Sequence, residues 1–256
     1  MQQLYLGFST RDSKNLSNDV AFAKKHGFNA ISIETSYRPN LNFTRSEIQS
    51  LKKFSKKNQI LIHMPFFMPT NSSILELGEG IFKYFERSLF FAKKIGAHTL
   101  TFHTGYVESG EKPIQGSLIP NLKKITLLAK KLNVHLSIEN DSKGHYLLWN
   151  PIDIKTVLKN LKNVKLTYDI GHANTAGIDP AKFFKMFRKN INVIHLHNNF
   201  GKDTHNQLDE GNLNYEEILP LFRNSKNIIY ILELPKNQLN KGKNLFYKYL
   251  INNKSR

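Results

Sequence analysis

The chain has 256 residues, 40% of them hydrophobic, and its 37 lysines and arginines against 20 aspartates and glutamates give a formal net charge of +17. It contains no cysteine, which excludes disulfide-linked partners, thiolate nucleophiles and cysteine-ligated zinc. No stretch approaches the roughly 18–20 apolar residues of a membrane span, so we expect a cytoplasmic protein without a membrane partner.

Eight short runs rich in aliphatic and aromatic residues recur along the chain, as parallel strands do. They cover residues 4–9, 30–34, 60–64, 99–103, 134–139, 164–169, 193–197 and 228–233. Amphipathic patterns follow them near residues 16–26, 45–57, 74–95, 118–132, 152–161, 180–188, 214–224 and 240–250. This alternation predicts an α/β fold, a single (β/α)8 TIM barrel over residues 1–256 with a frayed basic tail at 252–256; a doubly wound open sheet is the alternative.

Six consecutive runs carry, at or near their ends, residue types that bind metal ions or transfer protons. These residues are His63, His103, Glu139, Asp169, His195 and Glu233. In a barrel the carboxyl ends of the strands meet around one mouth, where active sites of this fold lie. In an open sheet the same ends would be spread along a line. The pattern therefore favours the barrel and predicts a site at its mouth.

The three strand-end carboxylates stand where valine or isoleucine would pack at lower cost, because an unpaired buried carboxylate is expensive to desolvate. A divalent cation would offset that cost. Two loop segments add the same residue types: His172 follows in the sequence DIGH, and Asp203 and His205 alternate in DTH. The sequence therefore predicts a metal site built from histidine, aspartate and glutamate. His197 lies two residues after His195 and shares its face of the strand; whether it binds metal, supports a ligand or contacts substrate is left open.

The segments IHMPF, FHTG, IEN, DIGHANTAG, HLHNN, DTHNQLDEGN and LEL resemble the endonuclease IV family, the family 2 apurinic/apyrimidinic endonucleases, within the xylose isomerase-like TIM barrels. The resemblance implies a cluster of up to three zinc ions. The first zinc would be held by His63, His103 and Glu139, the second by Glu139, Asp169, His195 and Glu233, and the third by His172, Asp203 and His205. The DNA wedge of that family would fall at Phe66 and Phe67.

Two motifs depart from the endonucleases, which carry DTCH and HLND where this chain has DIGH and HLHN. Both local forms resemble the sugar isomerase and epimerase branch instead. That resemblance implies a single Mn-like ion held by Glu139, Asp169, His195 and Glu233. In that branch the two glutamates also serve as the acid and base.

These resemblances imply two functions. We expect first a zinc-dependent phosphodiester hydrolase that cleaves DNA at abasic sites. Glu139 and Glu233 would be catalytic, and Tyr37 and Arg38 would contact the DNA backbone. The alternative is an isomerase or epimerase of a small sugar or sugar phosphate, in which Lys143, Lys202 or Arg38 holds a phosphate. The net charge supports the hydrolase only if the surplus surrounds the mouth and does not lie on the outer helices.

Overall fold

A computed structural model of the protein describes residues 3–11, 13–106, 114–144, 147–223, 225 and 227–251. Its eight parallel strands close into a barrel in chain order, and β1 pairs with both β2 and β8. The strands are β1 (Tyr5–Ser9), β2 (Ala30–Glu34), β3 (Gln59–His63), β4 (Thr99–Phe102), β5 (His135–Glu139), β6 (Val164–Asp169), β7 (Ile191–Leu196) and β8 (Ile229–Leu232). The predicted (β/α)8 barrel is confirmed, and the open sheet is wrong. The predicted tail at 252–256 lies outside the described residues.

Helices return the chain from the carboxyl end of each strand to the start of the next. They are α1 (Leu16–His26), α2 (Arg45–Ser55), α3 (Leu75–Ile95), α4 (Ile119–Leu132), α5 (Pro151–Asn160), α6 (Ile170–Thr175), α7 (Pro180–Phe187), α8 (Tyr215–Ile218) and α9 (Leu239–Ile251). The helix predicted at 214–224 is instead a single α turn followed by a 3-10 turn, Leu219–Phe222. Pro220 explains the difference, since proline lacks the N–H that a continued α-helix needs.

Several helices begin where the sequence supplies a polar cap. The side chain of Asn15 accepts hydrogen bonds from the first amides of α1, and Thr44 and Glu47 form a reciprocal capping box at α2. Asn150 and Asp179 cap α5 and α7 in the same way. These local contacts fix where the loops at the mouth of the barrel end.

The barrel interior is layered, because side chains two residues apart on a strand share a face. The lowest layer is apolar and tight, with Ala30, Leu61, Val193 and Ile231 fully buried. Gly7 has no room for a side chain there, since a Cβ would lie 2.2 Å from the carbonyl oxygen of Ala30. At corresponding positions, two residues before a predicted ligand, β4, β5 and β6 contribute three buried hydroxyls linked by hydrogen bonds, those of Thr101, Ser137 and Thr167. The predicted site residues form the next layer up, at the mouth.

Eleven lysines stand in the last turns of the helices. They are Lys24 and Lys25 (α1), Lys52 and Lys53 (α2), Lys93 and Lys94 (α3), Lys130 and Lys131 (α4), Lys159 (α5), Lys185 (α7) and Lys248 (α9). Cations at helix carboxyl ends are favoured by the helix dipole. Because each helix runs back against its strand, these ends lie at the face opposite the mouth. Among the helices that the structure describes, none is long and apolar enough to cross a membrane.

Candidate metal centre

The barrel brings all nine predicted metal ligands together at its mouth. They lie in overlapping groups whose ligand atoms are within 4.8 Å of one another, and eight of the nine side chains are buried or partly buried. A cavity of ≈ 280 Å³ opens over them. The described residues therefore include clusters that can bind divalent metal ions.

Glu139 is the centre of the arrangement and is only 1% exposed. Its Oε2 lies 2.9 Å from Nε2 of His63 and 3.4 Å from Nε2 of His103, while its Oε1 lies 3.0 Å from Nδ1 of His195. The two carboxylate oxygens thus face different histidine groups. This is the arrangement expected of a carboxylate that bridges two metal ions.

The second group is the most deeply buried. Nδ1 of His195 lies 3.2 Å from Oε1 of Glu233 and 3.8 Å from Oδ2 of Asp169. Asp169 Oδ2 and His195 Nε2 are buried without a hydrogen-bond partner among the described residues. Buried polar atoms are normally paired, so the orphaned Oδ2 of Asp169, on the side of the His195 ring that faces Glu139 and Glu233, fits a bound cation.

The third group lies on the loops. Asp203 places Oδ2 3.3 Å from Nε2 of His172 and Oδ1 3.2 Å from Nε2 of His205, and its side chain is 36% exposed. His172 comes from α6, which Asp169 caps by accepting a hydrogen bond from the His172 N–H. A short helix that begins at the strand end thus links the second and third groups.

Four histidines are oriented by partners on their other ring nitrogen. Nδ1 of His63, His172 and His205 lies 2.9–3.0 Å from the carbonyl oxygens of Met64, Asn140 and Glu233, and Nδ1 of His103 lies 2.6 Å from Oδ1 of Asp141. In all four rings Nε2 is left to face the carboxylates. Such partners fix the tautomer and the ring direction of metal-binding histidines.

The charges in the centre shift one another strongly. Burial alone would lower the pKa of His63, but the carboxylates of Glu34 and Glu139 outweigh it and raise the pKa to about 10. Burial alone would raise the pKa of Asp169, but His172 and His197 lower it to about 2. The pKa of Glu139 is likewise held well below its usual value by His195 and His103, against the effect of burial. The carboxylates are thus held ionised and require positive charge beside them.

His197 is fully buried and belongs to the same constellation. Its Nε2 lies 3.1 Å from Oδ1 of Asp169, and its ring stacks on that of His205 with centroids 4.0 Å apart and planes at 14°. The ring occupies the space beside Gly171, where a Cβ would lie 2.0 Å from His197 Cε1. Two residues distinguish these motifs from those of the endonucleases, the glycine in DIGH and the histidine in HLHN. The structure packs these two residues directly against each other.

Of the predicted substrate contacts, the aromatic residues lie at the cavity. Tyr37 and Phe66 line the cavity, and Phe67 packs edge-on against Phe66 with ring centroids 5.7 Å apart. All three aromatic rings are about half exposed.

The predicted cationic contacts are not brought to the cavity, whose lining includes none of them: Arg38, Lys143 and Lys202. The guanidinium of Arg38 instead lies 2.7 Å from Oε1 of Glu47 and donates to the backbone oxygen of Lys14. Lys143 lies over the ring of Trp149. Contacts of these three residues with phosphate or with the DNA backbone remain a prediction.

Three site residues escaped the sequence analysis. Glu34 places Oε2 3.2 Å from Nδ1 of His63, and it ends β2 with the same strand-end signal that identified the other ligands. Asp141 supports His103 and directly follows the segment IEN. Arg11 lines the cavity and bonds to Tyr37, and no pattern in the sequence marks it.

The sequence comparisons identify a fold family. A family model described as xylose isomerase-like TIM barrel matches residues 20–248. Two uncharacterized proteins of Methanocaldococcus jannaschii are similar: one is 28% identical over 173 residues, the other 32% over 129. The matches cover 63% and 48% of this chain and 59% and 49% of those relatives, so the chain spans only about half to three-fifths of their length.

Solved structures share the whole barrel. A D-tagatose 3-epimerase-like protein has a TM-score of 0.85 at 22% identity, covering 96% of this chain and 97% of its own. An L-ribulose 3-epimerase has a TM-score of 0.80 at 13% identity, covering 97% and 95%. A protein from Thermus thermophilus, soaked with ZnCl2, has a TM-score of 0.77 at 19% identity, covering 96% and 97%. At these identities the likeness shows the fold alone.

Proposed function

The chain belongs to the xylose isomerase-like TIM barrel family, and from this premise we propose that it is a divalent-metal-dependent isomerase or epimerase of a small sugar. One observation carries the proposal. Oε1 of Glu139 and Oε1 of Glu233 lie 3.0 and 3.2 Å from the same atom, Nδ1 of His195, beneath a cavity of ligand-binding size. Two carboxylates from separate strands thus reach the same point of the cavity.

The four residues of the second group would bind the metal ion, and two of them would also transfer protons. Asp169, His195 and the two glutamates would hold the ion, which when bound polarises the adjacent oxygens of the sugar. One glutamate removes the proton from the carbon next to the carbonyl, and the other returns a proton to that carbon from the opposite face. The donating glutamate must enter the step protonated, and the two glutamates exchange protonation states as the configuration at that carbon is inverted. Proton exchange with water then restores the pair. Tyr37 and Phe66, which line the cavity, would contact the sugar from one side.

Three observations support this reaction over the hydrolase that the sequence favoured. Similar solved structures include a D-tagatose 3-epimerase-like protein and an L-ribulose 3-epimerase. The glycine and histidine of DIGH and HLHN pack together as a unit. Eleven lysines in the last turns of the helices lie away from the mouth, which weakens the support that net charge gave to DNA binding.

Zinc-dependent phosphodiester hydrolysis is the second candidate, and the third ligand group favours it. His172, Asp203 and His205 add a further position beyond the four ligands that an epimerase needs. Clustered ions suit an in-line displacement at phosphorus. Metal content alone does not separate the two functions, whereas the products formed do.

The test is proton exchange at a carbon next to a carbonyl. Protein loaded with Mn²⁺ or Zn²⁺ is incubated in D2O with ketoses that include D-tagatose and L-ribulose, and deuterium incorporation is followed by NMR. We expect exchange by the wild type and a loss of at least about 100-fold in Glu139→Gln and Glu233→Gln, with the surface variant Glu79→Gln unchanged. Absence of exchange on every ketose, together with nicking of abasic duplex DNA, would refute the epimerase and support the hydrolase.

A further inference from the structure

A second cleft, here called the β1–β8 cleft, opens beside the metal centre. It has a volume of ≈ 590 Å³ and lies between the loop that follows β1 and the loop that follows β8. Four residues line both this cleft and the metal cavity: Arg11, Tyr37, Asp203 and His205. Because these residues are shared, a ligand at the metal centre can extend into the β1–β8 cleft.

The cleft carries a cationic surplus. Arg11, Lys14 and Lys236 line it, whereas its two carboxylates are already engaged. Asp19 is 2% exposed, lies 2.6 Å from Nζ of Lys236 and accepts a hydrogen bond from Ser13. The oxygens of Asp203 face the two histidines of the third ligand group. Lys14 forms no ion pair among the described residues, so its positive charge is left to act on a ligand, next to that of Arg11, which also faces Glu233 and Glu34.

The neutral lining of the cleft is mixed, and its polar members, such as Ser9, Thr10 and Asn18, carry further donors. Ser9 is 5% exposed, and its hydroxyl is buried without a hydrogen-bond partner among the described residues. The start of α1 borders the cleft, but its first amides already donate to Oδ1 of Asn15. An anion in this cleft is therefore bound by side chains and not by the helix end.

We propose that the β1–β8 cleft binds the phosphate group of a phosphorylated sugar whose reacting carbons lie at the metal centre. The inference rests on the proposed function and narrows its substrate class to sugar phosphates. Lys14 and Arg11 take the role that the sequence analysis gave to Lys143, Lys202 and Arg38. Clefts at the ends of β7 and β8 are a recurrent phosphate-binding place in this fold, and the loop after β8 forms one wall here.

Binding is measured by calorimetry on metal-loaded protein with D-ribulose, D-ribulose 5-phosphate, D-ribonate and inorganic phosphate as probes. We expect the sugar phosphate to bind at least about tenfold more tightly than D-ribulose, as one or more charge-assisted hydrogen bonds would give. Lys14→Gln should remove most of that preference and leave the affinity for D-ribulose unchanged. Lys94→Gln, a lysine change at the opposite face, should alter neither affinity.

Two further comparisons, of a second variant and of a carboxylate ligand, identify the group that the cleft binds. Phosphate also coordinates metal ions, so the effect of Lys14→Gln, and not the affinity for phosphate itself, decides the assignment. Lys236→Gln should also reduce the preference for the sugar phosphate. Because this change removes the ion-pair partner of Asp19, the folding of the variant is checked by circular dichroism. Tighter binding of D-ribonate than of the sugar phosphate would assign the cleft to a carboxylate and overturn the phosphate.

The outcomes separate the cleft from the reaction. Equal affinities for D-ribulose and its 5-phosphate, or a preference that Lys14→Gln leaves intact, would overturn the proposal even if ketoses exchange deuterium. A phosphate preference that depends on Lys14 supports the cleft even if no sugar is turned over, and the reaction proposed above would then be the part that fails.

Discussion

Gly171→Ala is the sharpest perturbation that the structure offers. The added Cβ would lie 2.0 Å from Cε1, 2.3 Å from Nε2 and 2.5 Å from Nδ1 of His197, all far below van der Waals contact. The imidazole has little freedom to yield, because it is 0% exposed, stacks on His205 and is held by Asp169. The backbone behind it accepts a hydrogen bond from the hydroxyl of Tyr215.

Overpacking of this kind costs about 1–3 kcal/mol. For a chain of this size each kcal/mol lowers Tm by about 2–4 °C. We therefore expect Gly171→Ala to unfold several degrees below the wild type in thermal and urea denaturation of the metal-free protein. Metal affinity should fall as well, because a displaced His197 pulls on Asp169.

The control is a double-mutant cycle with His197→Asn, which shortens the side chain that the new methyl meets. In the double variant the clash is removed, so the two changes should cost less together than the sum of their separate costs, with a coupling of about 0.5–3 kcal/mol. A Gly171→Ala protein as stable as the wild type, or costs that simply add, would refute the reasoning that these residues share one space.

Three further predictions concern the centre and its supports. His205→Ala should lower the bound zinc by about one ion per chain, measured by atomic absorption, and leave most of the proton exchange on ketoses; unchanged metal content would contradict the third group. Asp141→Asn should weaken metal affinity about 10–100-fold, measured by competition with a chelator, because His103 loses its orienting partner. Glu47 has a pKa held below 4.5, where burial raises it but the amides of Leu16 and Thr44 and the Arg38 guanidinium outweigh that effect. Its contribution to stability is thus present above pH 4.5 and lost as the pH falls below it. Glu47→Gln should destabilise at pH 7 by about 1–3 kcal/mol and by less at pH 3, measured by urea denaturation, and an equal loss at both values would contradict this role.

The strands and most of the centre could be predicted because a closed barrel imposes a simple rule. Side chains that alternate inward and stand at strand ends must meet at the mouth, which identified ligands such as His63 and Glu139 from sequence. The same rule applied to Glu34, which was overlooked although it ends β2. Loop residues such as Asp203 stood out by their residue type, but only the family resemblance grouped them into a third metal position, because no periodic pattern predicts loop geometry.

Other features depend on contacts that no local pattern reveals. Arg11 reaches the cavity because β1 and β8 become neighbours only when the barrel closes. Arg38 was assigned to a ligand because its charge is visible in the sequence, whereas its pairing with the capping residue Glu47 is not. Gly171 in α6 and His197 just after β7 are 26 positions apart in the chain. Their close contact likewise becomes visible only in the folded structure.

The lysines at the helix ends bear on how a small anion finds the protein. Long-range attraction follows the summed charge of the surface, and on this molecule much of that charge surrounds the face behind the barrel. An anionic substrate is therefore drawn toward the protein as a whole, without guidance to the mouth. Capture then depends on short-range contacts such as those of Arg11 and Lys14, which salt screens less than it screens a distant field. Because of the net charge of +17, a rise in ionic strength should consequently slow the approach of an anion more than it weakens these contacts.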